Sequence, residues 1–227
     1  VSATTDARLA RGWLERAADL VAAHAVELTD LDRAIGDGDH GINLDRGFAR
    51  VRDRLLSGEG LADPESASAS DVLRLAGQIL VSTVGGAAGP LYGTFFIQLS
   101  AELSDPATVN PTGLGQGLHA AAEALARRGR STVGEKTMLD ALVPASLAWQ
   151  RAAAAGGTLE ACARAAHRAA DDGRAATGPM IATKGRASYL GERSIGHVDP
   201  GAASAALLLR ALADAVAQDG AGPDPRR

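Results

Sequence analysis

Across 227 residues, 23 basic and 27 acidic side chains leave a formal charge of −4, and the bases are scattered, so the sequence offers no electrostatic footprint for nucleic acid. One cysteine, Cys162, excludes a disulfide framework and a cysteine-rich zinc site. No apolar run approaches a membrane span and no signal-peptide pattern opens the sequence, so a soluble, cytoplasmic protein without membrane or nucleic-acid partners is expected.

Abundant alanine, only 3% aromatics and no alternating β-branched runs predict an all-α domain of eight helices packed through small residues. The first helix is expected to follow a cap at Thr5 or Asp6 and to end at about Glu27, with Leu9, Trp13, Ala17, Leu20 and His24 at helical spacing. An acidic loop comes next, with Asp32, Asp37 and Asp39 crowded among Gly36, Gly38 and Gly41. Two carboxylates ~4 Å apart repel by ~4 kcal/mol at an effective dielectric of ~20, and a cation removes that penalty. Oxygen-only ligands suit Mg²⁺ or Ca²⁺, and Mg²⁺ is usually shared with substrate phosphates, so a magnesium-nucleotide site is the first expectation. A solvated turn has the same local composition. An EF-hand is excluded, because positions five and twelve counted from Asp37 are Gly41 and Phe48. A phosphatase-like Asp-x-Asp is excluded too, since the residues before Asp37 are too polar for a buried strand.

Helix two is expected near Asn43, with Leu44, Phe48, Val51 and Leu55 striping one face. Residues Ser57 to Ser70 read as a linker ending in an Asp71 cap for helix three, which runs through Val84. The turn Gly85-Gly-Ala-Ala-Gly-Pro90 then opens helix four, carrying Leu91, Phe95 and Leu99. Such a start presents backbone amides and a positive dipole end to phosphate oxygens, although it is equally a good helix break. Helix five is placed at about Thr112 to Arg128. The run from Gly129 to Thr137 imitates a P-loop, but Glu135 interrupts it and a helix, not a strand, precedes it, so it is no Walker motif.

Helix six is placed at Thr137 to Ala155 and helix seven at Thr158 to Ala176, where Cys162 fits a small buried apolar role. The polar segment from Thr183 to Gly201 carries Lys184, Arg186 and Arg193. A loop this long without structure of its own is a lid or a linker, and the planar fork of arginine suits phosphate. The last helix is placed from Pro200 or Gly201 to Gln218. From Asp219 to residue 227 glycine, proline and arginine predict a disordered tail.

Four pieces stand in order along the chain: Gly36-Asp-Gly-Asp-His-Gly41 with Asn43, Gly85-Gly-Ala-Ala-Gly-Pro-Leu-Tyr-Gly-Thr94, Gly134-Glu-Lys-Thr-Met-Leu-Asp140, and Lys184-Gly-Arg-Ala-Ser-Tyr-Leu-Gly-Glu-Arg-Ser-Ile-Gly-His197 with Asp199-Pro-Gly201. In these the chain resembles the DhaL family, the nucleotide-binding subunits of dihydroxyacetone kinase. The resemblance implies an antiparallel barrel of eight amphipathic helices over residues 1–218, with the nucleotide at one end. It implies that Asp32, Asp37 and Asp39 hold two Mg²⁺ ions on the phosphates of ADP or ATP and, with Arg186, form the catalytic set. His40, Gly41, Ile42 and Asn43 would line the nucleotide, and Gly86, Ala87 and Ala88 would receive the phosphates. Gly129, Met138, Arg186, Asp199, Pro200 and Gly201 would complete the pocket. Many relatives carry serine where Ala88 stands.

The His40-Gly-Ile-Asn43 variant looks like the phosphotransferase-system branch of the family. There ADP stays bound and is rephosphorylated by a phosphohistidine carrier subunit (DhaM-like) fed from phosphoenolpyruvate. Dihydroxyacetone sits on a separate DhaK-like subunit. The alternatives are an ATP-dependent kinase for dihydroxyacetone or a related triose or tetrose, and a non-catalytic ADP-sensing partner of a transcription regulator.

Overall fold

The computed structural model describes residues 3–220, and among them eight α-helices and two short 3-10 segments occur with no strand. The α-helices are α1 (Ala3–Ile35), α2 (His40–Ser57), α3 (Ala69–Thr83), α4 (Ala88–Glu102), α5 (Pro111–Gly129), α6 (Leu139–Ala154), α7 (Leu159–Ala176) and α8 (Pro200–Gly220). Helices α3 to α8 pack each on the next, α8 returns to α1, and α1 also packs on α2 and α3, so the contacts close a ring. In such a ring the connections α1–α2, α3–α4, α5–α6 and α7–α8 gather around one cleft.

Few aromatics are present, and most are spent at one place. Trp13, Phe48, Tyr92, Phe95 and Phe96 form a buried chain of edge-on and tilted contacts, with centroids 5.3 to 6.4 Å apart. The Trp13 indole donates to Leu208 O at 2.8 Å, which ties α1 to α8 through the core. Elsewhere small residues let backbones approach. A Cβ on Gly77 would stand 2.9 Å from Gly93 O, so α3 and α4 cross at a separation only glycine permits. Cys162 is buried, as expected for a small apolar role.

Several boundaries differ from those read in the sequence; helix six, for instance, begins at Leu139 and not at Thr137. Helix α1 continues two turns past Glu27 to Ile35, because Leu28 and Ile35 extend its buried stripe and no glycine intervenes before Gly36. Asp32 therefore rides on a helix and not in the loop. Helix α2 starts at His40, three residues ahead of Asn43. Ser68, not Asp71, caps α3; Asp71 accepts from the Ser68 amide, completing a capping box. Helix α8 takes in Asp219 and Gly220, where an ion pair of Arg8 with Asp219 at 2.7 Å holds the last turn to α1. The rest of the expected tail, residues 221–227, lies outside the described residues.

Helix α8 also corrects the reading of apolar runs. It is long and apolar enough to cross a membrane by length and composition, but 72% of that window is buried inside the protein, as a central core helix requires.

Candidate functional site

The cleft is built outward from Asp32. This buried carboxylate, on the last turn of α1, accepts from the backbone amides of Asp39 at 2.9 Å and His40 at 3.1 Å, so the end of one helix caps the start of the next. Gly36 makes this possible, since a Cβ there would stand 2.0 Å from Asp32 Oδ1. The tight turn brings one oxygen from each of Asp32, Asp37 and Asp39 within 4.8 Å of the others, with Asp37 and Asp39 exposed to the cleft. Three hard oxygen donors on one side of an open cleft fit Mg²⁺. One neighbouring cation faces them: Arg186 pairs with Asp37 at 2.9 Å.

His40 Nε2 lies 2.9 Å from Ser204 Oγ, which is 2.7 Å from the buried Tyr92 hydroxyl. Burial pushes the imidazole below its ordinary value, so the ring is neutral and serves to fasten the acidic turn to α8 and α4. Asn43, one turn on, sits beside Gly85 and accepts from Arg46 at 2.8 Å.

Across the cleft, Gly86 has a φ of 65°, the left-handed turn that redirects the chain into α4. The residue before α4, Ala87, makes no side-chain cap. The first amides of this helix, with its positive dipole end, face the cleft that the three carboxylates line.

The third wall comes from the α5–α6 connection. Leu91, Leu125, Gly129 and Met138 form an apolar face beside Ser131. Asp140 shapes this connection by accepting from the amides of Gly134 and Thr137. The fourth wall is the α7–α8 segment, which has structure of its own: a run of 3-10 turns over Arg186–Ser194. Its polar composition hides a small apolar patch, Ala182, Ala187 and Leu190, that packs on Ile35 at the end of α1. Asp199 closes the floor by accepting from Ala202 N at 2.7 Å. Burial pushes its carboxyl up to about 7, with Asp140 and Asp32 adding to the rise and the Ala202 amide and Lys136 opposing it.

Of the residues singled out in the sequence, the structure brings Asp32, Asp37, Asp39, His40, Asn43, Gly86, Ala87, Ala88, Gly129, Met138, Arg186, Asp199, Pro200 and Gly201 around one cleft of about 400 Å³. Gly41 and Ile42 do not line it. Gly41 packs on α1, where a Cβ would stand 2.0 Å from Ala25 O, and Ile42 is exposed on the outer face of α2. Sequence reasoning passed over Lys136. This side chain is 1% exposed, and its ammonium donates to the carbonyls of Thr177 (2.6 Å), Gly178 (3.2 Å), Met180 (3.2 Å) and His197. The Lys136 backbone has a φ of 61°, uncommon for a residue with a side chain. Only its place within the Gly134-Glu-Lys-Thr piece marked it in the sequence.

The DAK2 domain model matches residues 34–214. The chain is 42% identical over 209 residues to the ADP-binding subunit DhaL of PEP-dependent dihydroxyacetone kinase 1 of Listeria innocua, covering 92% of this chain and 96% of that protein. It is 39% identical over 201 residues to the ADP-binding subunit DhaL of the PEP-dependent dihydroxyacetone kinase of Escherichia coli, covering 88% and 93%. Among solved structures it resembles the dihydroxyacetone kinase of C. freundii in complex with AMP-PNP and Mg²⁺, with a TM-score of 0.65 and 25% identity over 91% of this chain and 33% of that one.

Proposed function

The chain belongs to the DAK2-domain family, and on that premise we propose that its cleft holds an ADP/ATP nucleotide by the phosphates between the acidic turn and the start of α4. It is an ADP- and magnesium-binding phosphoryl-transfer subunit of dihydroxyacetone kinase. The observation that carries the placement is the convergence of three carboxylates, an uncapped helix start and an arginine on one cleft.

Asp32, Asp37 and Asp39 are the residues that would hold two Mg²⁺ ions, which supply neutralisation of the charge on the transferred phosphoryl group. The amides of Gly86, Ala87 and Ala88 bind phosphate oxygens at the start of α4, and Ala88 in place of serine withholds only a hydroxyl donor. Leu91, Leu125, Gly129 and Met138 give the base an apolar seat, and Asp199 with Gly201 faces the ribose. Arg186, released from Asp37, turns its fork of donors to the phosphoryl group. Its pair with Asp37 is solvent-exposed and therefore cheap to give up. The chain offers no nucleophile and none is required, because phosphoryl transfer is catalysed by positioning and electrostatics.

The acceptor, dihydroxyacetone, is held on a DhaK-like partner, and the donor is a DhaM-like phosphohistidine carrier that recharges resident ADP in the cytoplasm. Two measurements test this. ADP should survive dialysis in Mg²⁺ and leave on addition of EDTA. Turnover with the acceptor subunit should need the phosphorylated carrier and not free ATP. Rapid exchange of labelled ATP with repeated turnovers would leave an ordinary ATP-dependent kinase instead, and failure to bind ADP in Mg²⁺ would remove the nucleotide reading altogether.

A further inference from the structure

The cleft reading uses the carboxylates, the α4 amides and Arg186, and leaves a buried lysine without a task. Lys136 is a cation sealed inside the protein, and among the described residues it meets no carboxylate at ion-pair distance. It donates instead to four backbone carbonyls. Three of them, on Thr177, Gly178 and Met180, lie where the chain leaves α7. The fourth, on His197, lies just before α8. An ammonium has three protons, so four carbonyls around it make a cage of the kind that a bound monovalent cation would occupy. Burial pulls the ammonium below its ordinary value, and Asp199 and Asp140 oppose that pull.

The two chain ends caged in this way are the roots of the segment that carries Arg186. Other contacts close the same junction: Gly196 N donates to Gly178 O at 2.9 Å, Asp199 N to Thr177 Oγ1 at 3.0 Å and Thr183 N to Glu135 O at 3.3 Å. Lys136 itself belongs to the α5–α6 connection, whose neighbours Gly129 and Met138 form the apolar wall. Its backbone stands in the left-handed region, where a residue with a side chain is held only by its surroundings. We infer that Lys136 is a positioning residue: its caged ammonium pins both roots of the 178–198 segment to the α5–α6 connection, and so sets where Arg186 stands over the phosphates. The inference rests on the nucleotide reading for its consequence, but its geometry is independent of any ligand.

The test uses nucleotide-free protein, so its failure and the failure of the nucleotide reading are separate results. Trypsin has sites within the segment at Lys184, Arg186 and Arg193, and cuts there are identified by mass. In Lys136→Met, which keeps the length and removes the charge, cutting at these sites should quicken about tenfold or more, in proportion to the open population of the segment. Ser68→Ala serves as a control that loosens the fold elsewhere and should leave those cuts at the parent rate. Added ADP and Mg²⁺ should then bind Lys136→Met more weakly, and Lys136→Arg should recover part of the protection. Equal cutting in Lys136→Met and in Ser68→Ala, compared at matched melting temperature, would reduce the lysine to a plug for stray carbonyls. Should Lys136→Met fail to fold, amide exchange in the parent decides. The Thr183, Gly196 and Asp199 amides should exchange as slowly as the centres of α7 and α8. Exchange at the rate of the segment's exposed amides would overturn the inference.

Discussion

Helices α3, α5 and α7 each begin on a residue whose side chain accepts from their own first-turn amides: Ser68, Asn110 and Thr158. Helices α2, α4 and α6 begin on Asp39, Ala87 and Met138, and none of these does so. The first three starts lie at connections that take no part in the cleft, while the other three line it. A good side-chain cap contributes about 1 kcal/mol. The protein takes that stability at the far end; at the cleft end α8 has such a cap, from Asp199 to the Ala202 amide, α2 is met by Asp32 from the preceding helix, the first amides of α6 bond to Thr137 and Met138, and the start of α4 has no side-chain cap. The difference is sharpest at α4, where the missing cap leaves room for an anion.

The sharpest break in this contrast is Asp37→Ala. It should weaken Mg²⁺-dependent ADP binding about a hundredfold or more, as loss of one oxygen ligand from a metal site does, while the helical circular dichroism stays at the parent value. Equilibrium dialysis decides, and unchanged ADP binding would remove the metal assignment. Arg186→Ala should slow phosphoryl transfer about tenfold and leave the melting temperature nearly unchanged, because its ion pair with Asp37 is exposed. A large fall in melting temperature with the transfer rate per folded molecule intact would make it structural instead. At the capped end, Ser68→Ala should show the reverse: about 1 kcal/mol of stability lost in denaturant titration, and ADP affinity within error of the parent.

The last effect is one of pH. Asp199, raised to about 7 in the folded protein from 3.8, holds its proton more tightly folded than unfolded. Its contribution to stability is therefore full below about pH 4 and is lost as the pH rises through about 7. Asp199→Asn cannot ionise, so it should lose less stability than the parent over that window in parallel melts without nucleotide. Parallel curves would mean that the carboxyl is ionised throughout.

How much of this was readable in advance follows the same division. The eight helices were legible because apolar stripes and glycine or proline stops are local signals, and the acidic turn and the α4 start were legible because their chemistry lies within a few consecutive residues. The position of Asp32 on a helix was not. It depends on Ile35 finding partners in Ala182 and Ala187, about 150 residues away in the sequence. The cage around Lys136 was hidden for a similar reason, since backbone carbonyls leave no mark in a sequence. Gly41 has a reason of its own to be small that no motif displays: α1 passes close to it.

Cys162 gives the molecule a clock. It is the sole thiol in the sequence, lies fully buried on α7 with its sulfur 3.8 Å from Gly157 O, and has its ionisation pushed up by burial. A thiol reagent added to the native protein should react only in the moments when α7 comes away from its neighbours. The reaction rate then reads the frequency of those openings without any label or engineered probe. Helix α7 also leads into the caged root of the Arg186 segment, so the same colour change in a cuvette should slow when that end of the molecule is held shut.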